Sequence, residues 1–124
     1  MKRTVVAFLC LFFSALIAFA AGHSHWNHVP AKDHERANPF ASRQEAVAAG
    51  ALIYGDKCAQ CHRADARGDR RKRPSLRSEL LRNATDGDIE WFLRQGDLAH
   101  GMPSWAGLPA EQRWQVVTYL KSIQ

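Results

Sequence analysis

The stretch Cys58-Ala59-Gln60-Cys61-His62 concentrates the chemistry of this chain. Two cysteines three positions apart can pair, hold a metal or carry a cofactor. A structural zinc site wants four ligands, commonly two such pairs. Here there is one CxxC, and His62 follows Cys61 too closely for finger-type geometry. A thioredoxin-like dithiol needs a βαβ setting, and the sequence shows no strand pattern. A third chemistry, which the adjacent histidine favours over these two, is covalent haem attachment, for which CxxCH is the signature. Two thioethers fix the vinyl edges of the porphyrin, and the next histidine is held beneath the iron. That accounts for the histidine directly after the second cysteine.

A five-residue motif recurs by chance, so the rest of the chain has to support it. A low-spin electron-transfer haem needs a second axial ligand, and a Met/His pair raises the potential. Met102 lies 40 residues beyond His62, in the loop His100-Gly101-Met102-Pro103. A Gly-Met-Pro loop is an odd place for a methionine that only fills core space. Its thioether is a soft ligand suited to haem iron, and His100 is its competitor. Pro74, twelve residues after His62, offers a carbonyl in a rigid turn. A metal-bound histidine usually donates its other ring N–H to such a group.

Several elements must position these residues. Residues 1–20 read as a secretory signal peptide. Lys2 and Arg3 precede a run of 16 mostly apolar residues, Val5 to Ala20, ending in the small-x-small site Ala18-Phe19-Ala20. The run falls short of the ~20 residues that span a bilayer, so no lasting membrane insertion is expected after cleavage. Cleavage would remove Cys10 and two cations with no acid, taking the formal charge from +5 to +3. Cys58 and Cys61 would be the only cysteines left, so no disulfide framework holds the fold in an oxidising compartment. Residues 21–41 have no hydrophobic period and contain Pro30, Pro39 and the histidines 23, 25, 28 and 34. They read as a flexible, His-rich leader.

Order is expected over 42–124. Ser42-x-x-Glu45 is a capping-box signature, and Ala46, Ala49, Gly50, Ile53 and Tyr54 follow at helical spacing. That pattern predicts a helix from about Arg43 to Asp56, delivering the chain to Cys58. Arg63 to Asn83 reads as a basic loop with a helical turn at its end. Thr85 with Asp88 looks like a second cap, opening a short helix with Ile89, Phe92 and Leu93 on one face and Gly96 as its stop. Pro109 stands where a first helical residue would. Trp114, Val116, Val117, Tyr119, Leu120 and Ile123 support a last helix. Three short helices and long loops make a thin all-α core, which a large apolar cofactor would complete.

Taken together, these residues resemble the class I c-type cytochromes, small carriers with one haem. The matching parts are a helix with Gly50 and Tyr54 leading into Cys58-Ala-Gln-Cys61-His62, then Pro74 and Leu76, then Gly101-Met102-Pro103, then the helix of Tyr119. The match spans about Ala46 to Ile123. It implies a cytochrome c fold, with three main helices and long loops around one covalent haem c. It also implies thioethers at Cys58 and Cys61, axial ligation by His62 and Met102, a hydrogen bond from His62 to Pro74, and Leu76 packed on the haem. Gly50 and Tyr54 would cross the last helix near Val116 and Tyr119. Two departures stand out. Many relatives have glycine after the haem histidine, where this chain has Arg63. From Arg63 to Arg82 there are also eight Lys or Arg against three acids.

The resulting expectation is an exported electron carrier, periplasmic in a bacterial source, and not an enzyme. Six-coordinate iron leaves no place for peroxide or oxygen, whereas a haem enzyme or ligand sensor needs an open distal position. A subunit of a larger dehydrogenase or oxidase is an alternative. Redox proteins are the expected partners. The basic loop suits an acidic docking surface, and nucleic acid is not expected for an exported chain. Trp91, Trp105 and Trp114 are expected around the haem or core, with Trp105 shielding the Met102 side. Cleavage after Ala20 would also expose Ala21-Gly22-His23, whose amine, amides and imidazole suit square-planar copper or nickel.

Overall fold

The computed structural model describes residues 28–69 and 72–124. The signal segment, its cleavage site and the Ala21-Gly22-His23 terminus lie outside the described residues. Among the described residues six α-helices follow one another, α1 (Ala31–His34), α2 (Gln44–Lys57), α3 (Ala59–His62), α4 (Glu79–Asn83), α5 (Asp86–Gln95) and α6 (Ala110–Ser122), with a 3-10 turn (Leu98–His100) between the last two. Among the described residues there are no strands, only isolated bridges at Asp69–Arg73 and Asp97–Met102. No described helix is long and apolar enough to cross a membrane.

The crossing of α2 over α6 organises the fold. Gly50 makes it possible, because a Cβ there would stand 2.0 Å from the Gln115 carbonyl oxygen and 2.9 Å from the Tyr119 Cβ. The helices therefore meet backbone to backbone. One turn further on, the rings of Tyr54 and Tyr119 pack at 5.2 Å. This is the crossing the resemblance implied. Trp114, Val116, Val117 and Leu120 of α6 then meet Ile89 and Leu93 of α5 and Leu81 of α4 in the core. The Lys121 ammonium donates to the carbonyls of Arg82 and Ala84 at 3.1 and 2.6 Å, satisfying the C-terminal end of α4. Only ten described apolar residues are buried. That is thin for a domain of this size, and the packing leaves a slot between α5, α6 and the Cys58 turn.

Helix boundaries agree at α5 and differ at α2. Thr85 and Asp88 form a complete capping box, and Gly96 ends α5 with a φ of 69°. The Ser42–Glu45 box does not form. Ser42 has a φ of 62°, outside the extended conformation an N-cap needs, and Arg43 takes the cap with no side-chain bond. Pro109 is likewise the cap of α6 rather than its first residue.

The larger correction concerns the leader. Its described part, residues 28–41, is not a flexible tail but a strap folded across α5. The Arg94 guanidinium donates to Asp33 at 2.6 Å, Arg36 reaches Glu90 at 2.8 Å, and His34 meets Asp88 at 2.8 Å. The Asn38 amide donates to Asp86 and Thr118. The Thr85 hydroxyl donates to the His34 carbonyl. Gly87 lets the strap touch the helix, since a Cβ there would lie 2.0 Å from the Asp33 carbonyl oxygen. Beneath the strap, the fully buried Glu90 (0 % exposed) also takes Arg113 Nε at 2.7 Å. The Arg36 guanidinium lies 5.0 Å over the Trp114 ring. No hydrophobic period announces such a strap, because polar pairs spanning about fifty positions hold it.

Candidate functional site

Cys58 closes α2 and opens α3. Cys61 and His62 both donate their backbone N–H to the Cys58 carbonyl, at 3.1 and 2.9 Å. Residues three and four apart share a helix face, so this single turn sets both thiols and the imidazole on one side. Cys58 and Cys61 form no disulfide. Burial, with Cys61 nearby, pushes the Cys58 thiol up to about 11. His62 is only 8 % exposed. Burial holds its imidazole below the ordinary histidine range, opposed by the Pro74 hydrogen bond and reinforced by Arg73. Its Nδ1 donates to the Pro74 carbonyl at 3.2 Å. That bond fixes the tautomer and leaves Nε2 as the free lone pair, the arrangement of a metal-binding histidine.

The loop beneath His62 is shaped by backbone. Gly68 donates its N–H to the His62 carbonyl, and Leu76 donates to Ala66. A Cβ on Gly68 would sit 2.5 Å from the Pro74 carbonyl oxygen, so glycine lets that loop close under the histidine. Arg63 ends α3 with a φ of 66°, a conformation glycine adopts freely and other residues adopt at a cost of roughly 1–3 kcal/mol. The departure at Arg63 therefore falls on a position whose backbone suits glycine. The Tyr54 hydroxyl donates to the Arg63 carbonyl at 2.8 Å and holds that conformation.

Met102 comes from the far side of the slot. Asp97 and Met102 exchange both backbone hydrogen bonds at 2.8 Å, and Gly96 and Gly101 supply the positive φ angles of the turn. The loop is tied back to α5 by the Ser104 hydroxyl on the Arg94 carbonyl and by the Trp105 N–H on the Leu93 carbonyl. His100, the competing ligand, has a side chain 75 % exposed with Nδ1 held 2.7 Å from Asp97.

Two confluent cavities, of about 330 and 230 Å³, occupy the slot. Cys58, His62, Pro74, Phe92 and Met102 border both. Leu76, Leu81, Ile89, Leu93 and Val116 line the larger one, while Cys61, Trp105 and a rim of Lys57, Lys72 and Arg73 line the smaller. Ligand sites typically enclose roughly 300–1,000 Å³ with mostly apolar walls. A flat apolar ring with a central metal fits this slot. An imidazole and a thioether border it, two thiols lie at its edge and hydrocarbon makes its walls. No group of three or more His, Cys, Asp or Glu suited to a metal ion occurs among the described residues, so a structural zinc centre finds no ligand set there.

The structure thus brings together every site residue the sequence singled out: Cys58, Cys61, His62, Pro74, Leu76 and Met102. Trp105 lines the slot beside Met102, whereas Trp114 lies in the core and Trp91 is half-buried outside the slot. Arg73 and the Tyr54 hydroxyl were not legible as parts of the site. Both act on backbone carbonyls brought near by folding, which no motif records.

Comparison with known proteins points the same way. The family described as cytochrome C oxidase, cbb3-type, subunit III matches residues 45–120. Cytochrome c550 of Pseudomonas aeruginosa is 35% identical over 92 residues, covering 68% of this chain. The chain spans 61% of the length of that relative.

Proposed function

This chain belongs to the class I c-type cytochromes and carries covalently bound haem c; from that premise we propose that it ferries single electrons between redox partners, with His62 and Met102 as the residues that would hold the iron. Cys58 and Cys61 would form the thioethers. The haem supplies one iron-centred redox couple. The protein's own groups do the rest. His62 is oriented by Pro74 and kept neutral by burial. Met102 is presented by a turn closed through its own backbone pair with Asp97. Leu76, Ile89, Leu93 and Val116 exclude water, which limits reorganisation when the charge changes. The observation that carries this reading is a buried His62, its Nδ1 bonded to Pro74, sharing one apolar slot with Met102. No substrate bond is made or broken, so the protein is a carrier and not an enzyme. The chain is exported, and in a bacterium it works in the periplasm. A second reading, as a cytochrome subunit of a larger oxidase or dehydrogenase, is favoured by the description of the matching family.

The optical spectrum of the exported protein tests the ligand set. The haem is expected to stay attached through denaturation in alkaline pyridine, with a weak ~695 nm band in the oxidised protein from sulfur ligation. Covalent haem that lacks this band and binds carbon monoxide readily would sink the carrier reading in favour of a sensor or enzyme.

The rim cations Lys57, Lys72 and Arg73, with Leu98 78 % exposed nearby, favour an acidic docking partner. Electron exchange with such a partner should slow about tenfold or more between low and high salt. A rate indifferent to ionic strength would argue against charge-guided docking.

A further inference from the structure

We propose that Arg73 is a positioning residue that braces the Met102 loop against the Pro74 loop and so keeps the thioether on the iron. The inference rests on the iron-holding residues proposed above. Arg73 directly precedes Pro74, the residue whose carbonyl orients His62. Its own backbone is anchored. Its carbonyl accepts from the Asp69 N–H at 2.9 Å, and its N–H donates to the Asp69 carboxylate at 3.3 Å. From this fixed base the half-buried side chain reaches across the mouth of the slot. Nη1 donates to the carbonyls of His100 and Gly101, at 3.3 and 3.5 Å. These are the last two carbonyls before Met102.

On its other side the distal turn is held to its own stem and to α5 by the Asp97–Met102 pair, Ser104 on Arg94 and Trp105 on Leu93. Those bonds fix the loop relative to α5. Arg73 supplies a link to the histidine side, joining the two halves of the site over 27 and 28 positions of sequence. Gly101 leaves room for it, since a Cβ there would approach Nη1 to 3.2 Å. The planar guanidinium suits the task, because its donors form a fork of fixed geometry and are always charged. A thioether is a weak ligand, so its hold on the iron depends on how firmly its loop is kept in place. Loosening the loop should let an outside ligand take the position.

Imidazole added to the oxidised holoprotein reads this directly, through loss of the ~695 nm band. The Arg73→Ala protein is expected to bind imidazole about tenfold more tightly, the scale of losing hydrogen bonds from a charged donor. Arg73→Lys should restore part of the difference. Arg67→Ala, which removes an exposed cation of the same basic loop away from the slot, should behave as the unaltered protein. Should Arg73→Ala assemble poorly, Arg73→Gln removes the charged fork with less loss of side-chain packing and gives the same reading. Unchanged imidazole affinity in the Arg73 variants, with the band intact, would overturn the brace alone. An equal gain in Arg67→Ala would reduce Arg73 to one loop charge among several and also overturn it. Absence of the band in the unaltered protein would overturn the ligand assignment, and the brace with it.

Discussion

Replacement of Met102 by alanine is expected to leave the haem attached while abolishing the ~695 nm band and lowering the midpoint potential by a few tenths of a volt, within the roughly 0.8 V that axial ligands command. Attachment survives because Cys58, Cys61 and His62 sit on a separate helical turn, bonded through the Cys58 carbonyl and Pro74. The distal turn keeps its backbone, since Asp97 pairs with residue 102 through main-chain atoms alone. The change therefore removes the proposed ligand and leaves its scaffold. Potentiometric titration with optical detection checks it. A band already missing from the unaltered protein, with a potential that Met102→Ala leaves unchanged, would place the distal ligand elsewhere. His100 would then have to leave its partner Asp97 and turn inward from a side chain now 75 % exposed.

A second large effect is expected far from the iron. Glu90→Ala should cost the holoprotein roughly 3–5 kcal/mol, because breaking a buried pair leaves an uncompensated charge behind. Glu90 is fully buried, and the guanidinium it would abandon, Arg113, is 8 % exposed. Arg113 would keep its bonds to the Ala106 and Leu108 carbonyls, but these do not replace a carboxylate. In a domain of this size the loss corresponds to a fall in melting midpoint on the order of 15 °C. Arg36→Ala opens the same cluster from the strap side and should cost far less, since that side chain is 39 % exposed and its pair is partly screened. Thermal and urea unfolding of the three proteins measure both effects. Were Glu90→Ala to melt within about 1 kcal/mol of the unaltered protein, the cluster would be an ornament of the surface and the strap would have little to hold.

Legibility divided along physical lines. The cap at Thr85, the stop at Gly96 and the turn carrying Cys58, Cys61 and His62 were readable because each is settled within a few residues. The crossing at Gly50 was readable through family resemblance, since one glycine on a helix does not by itself reveal what it approaches. The strap was misread because its short helix has no apolar face. Its order comes from Asp33, His34, Arg36 and Asn38 finding charges on α5 and the Thr118 hydroxyl on α6. Ser42 was misread because the strap's return sets its backbone at a positive φ, overriding a good capping signature.

The sequence by itself determined the class of the protein: helical, built around a CxxCH turn, and a c-type cytochrome. That much is carried by contiguous residues whose spacing is the chemistry. Only the tertiary structure decided how the site is held. The Pro74 carbonyl reaches His62 because Gly68 lets the loop close. Arg73 reaches the Met102 loop because folding brings positions 27 and 28 residues apart to hydrogen-bonding distance. Those contacts end on backbone carbonyls, which every residue possesses, so the identity of the accepting residue carries no trace of them.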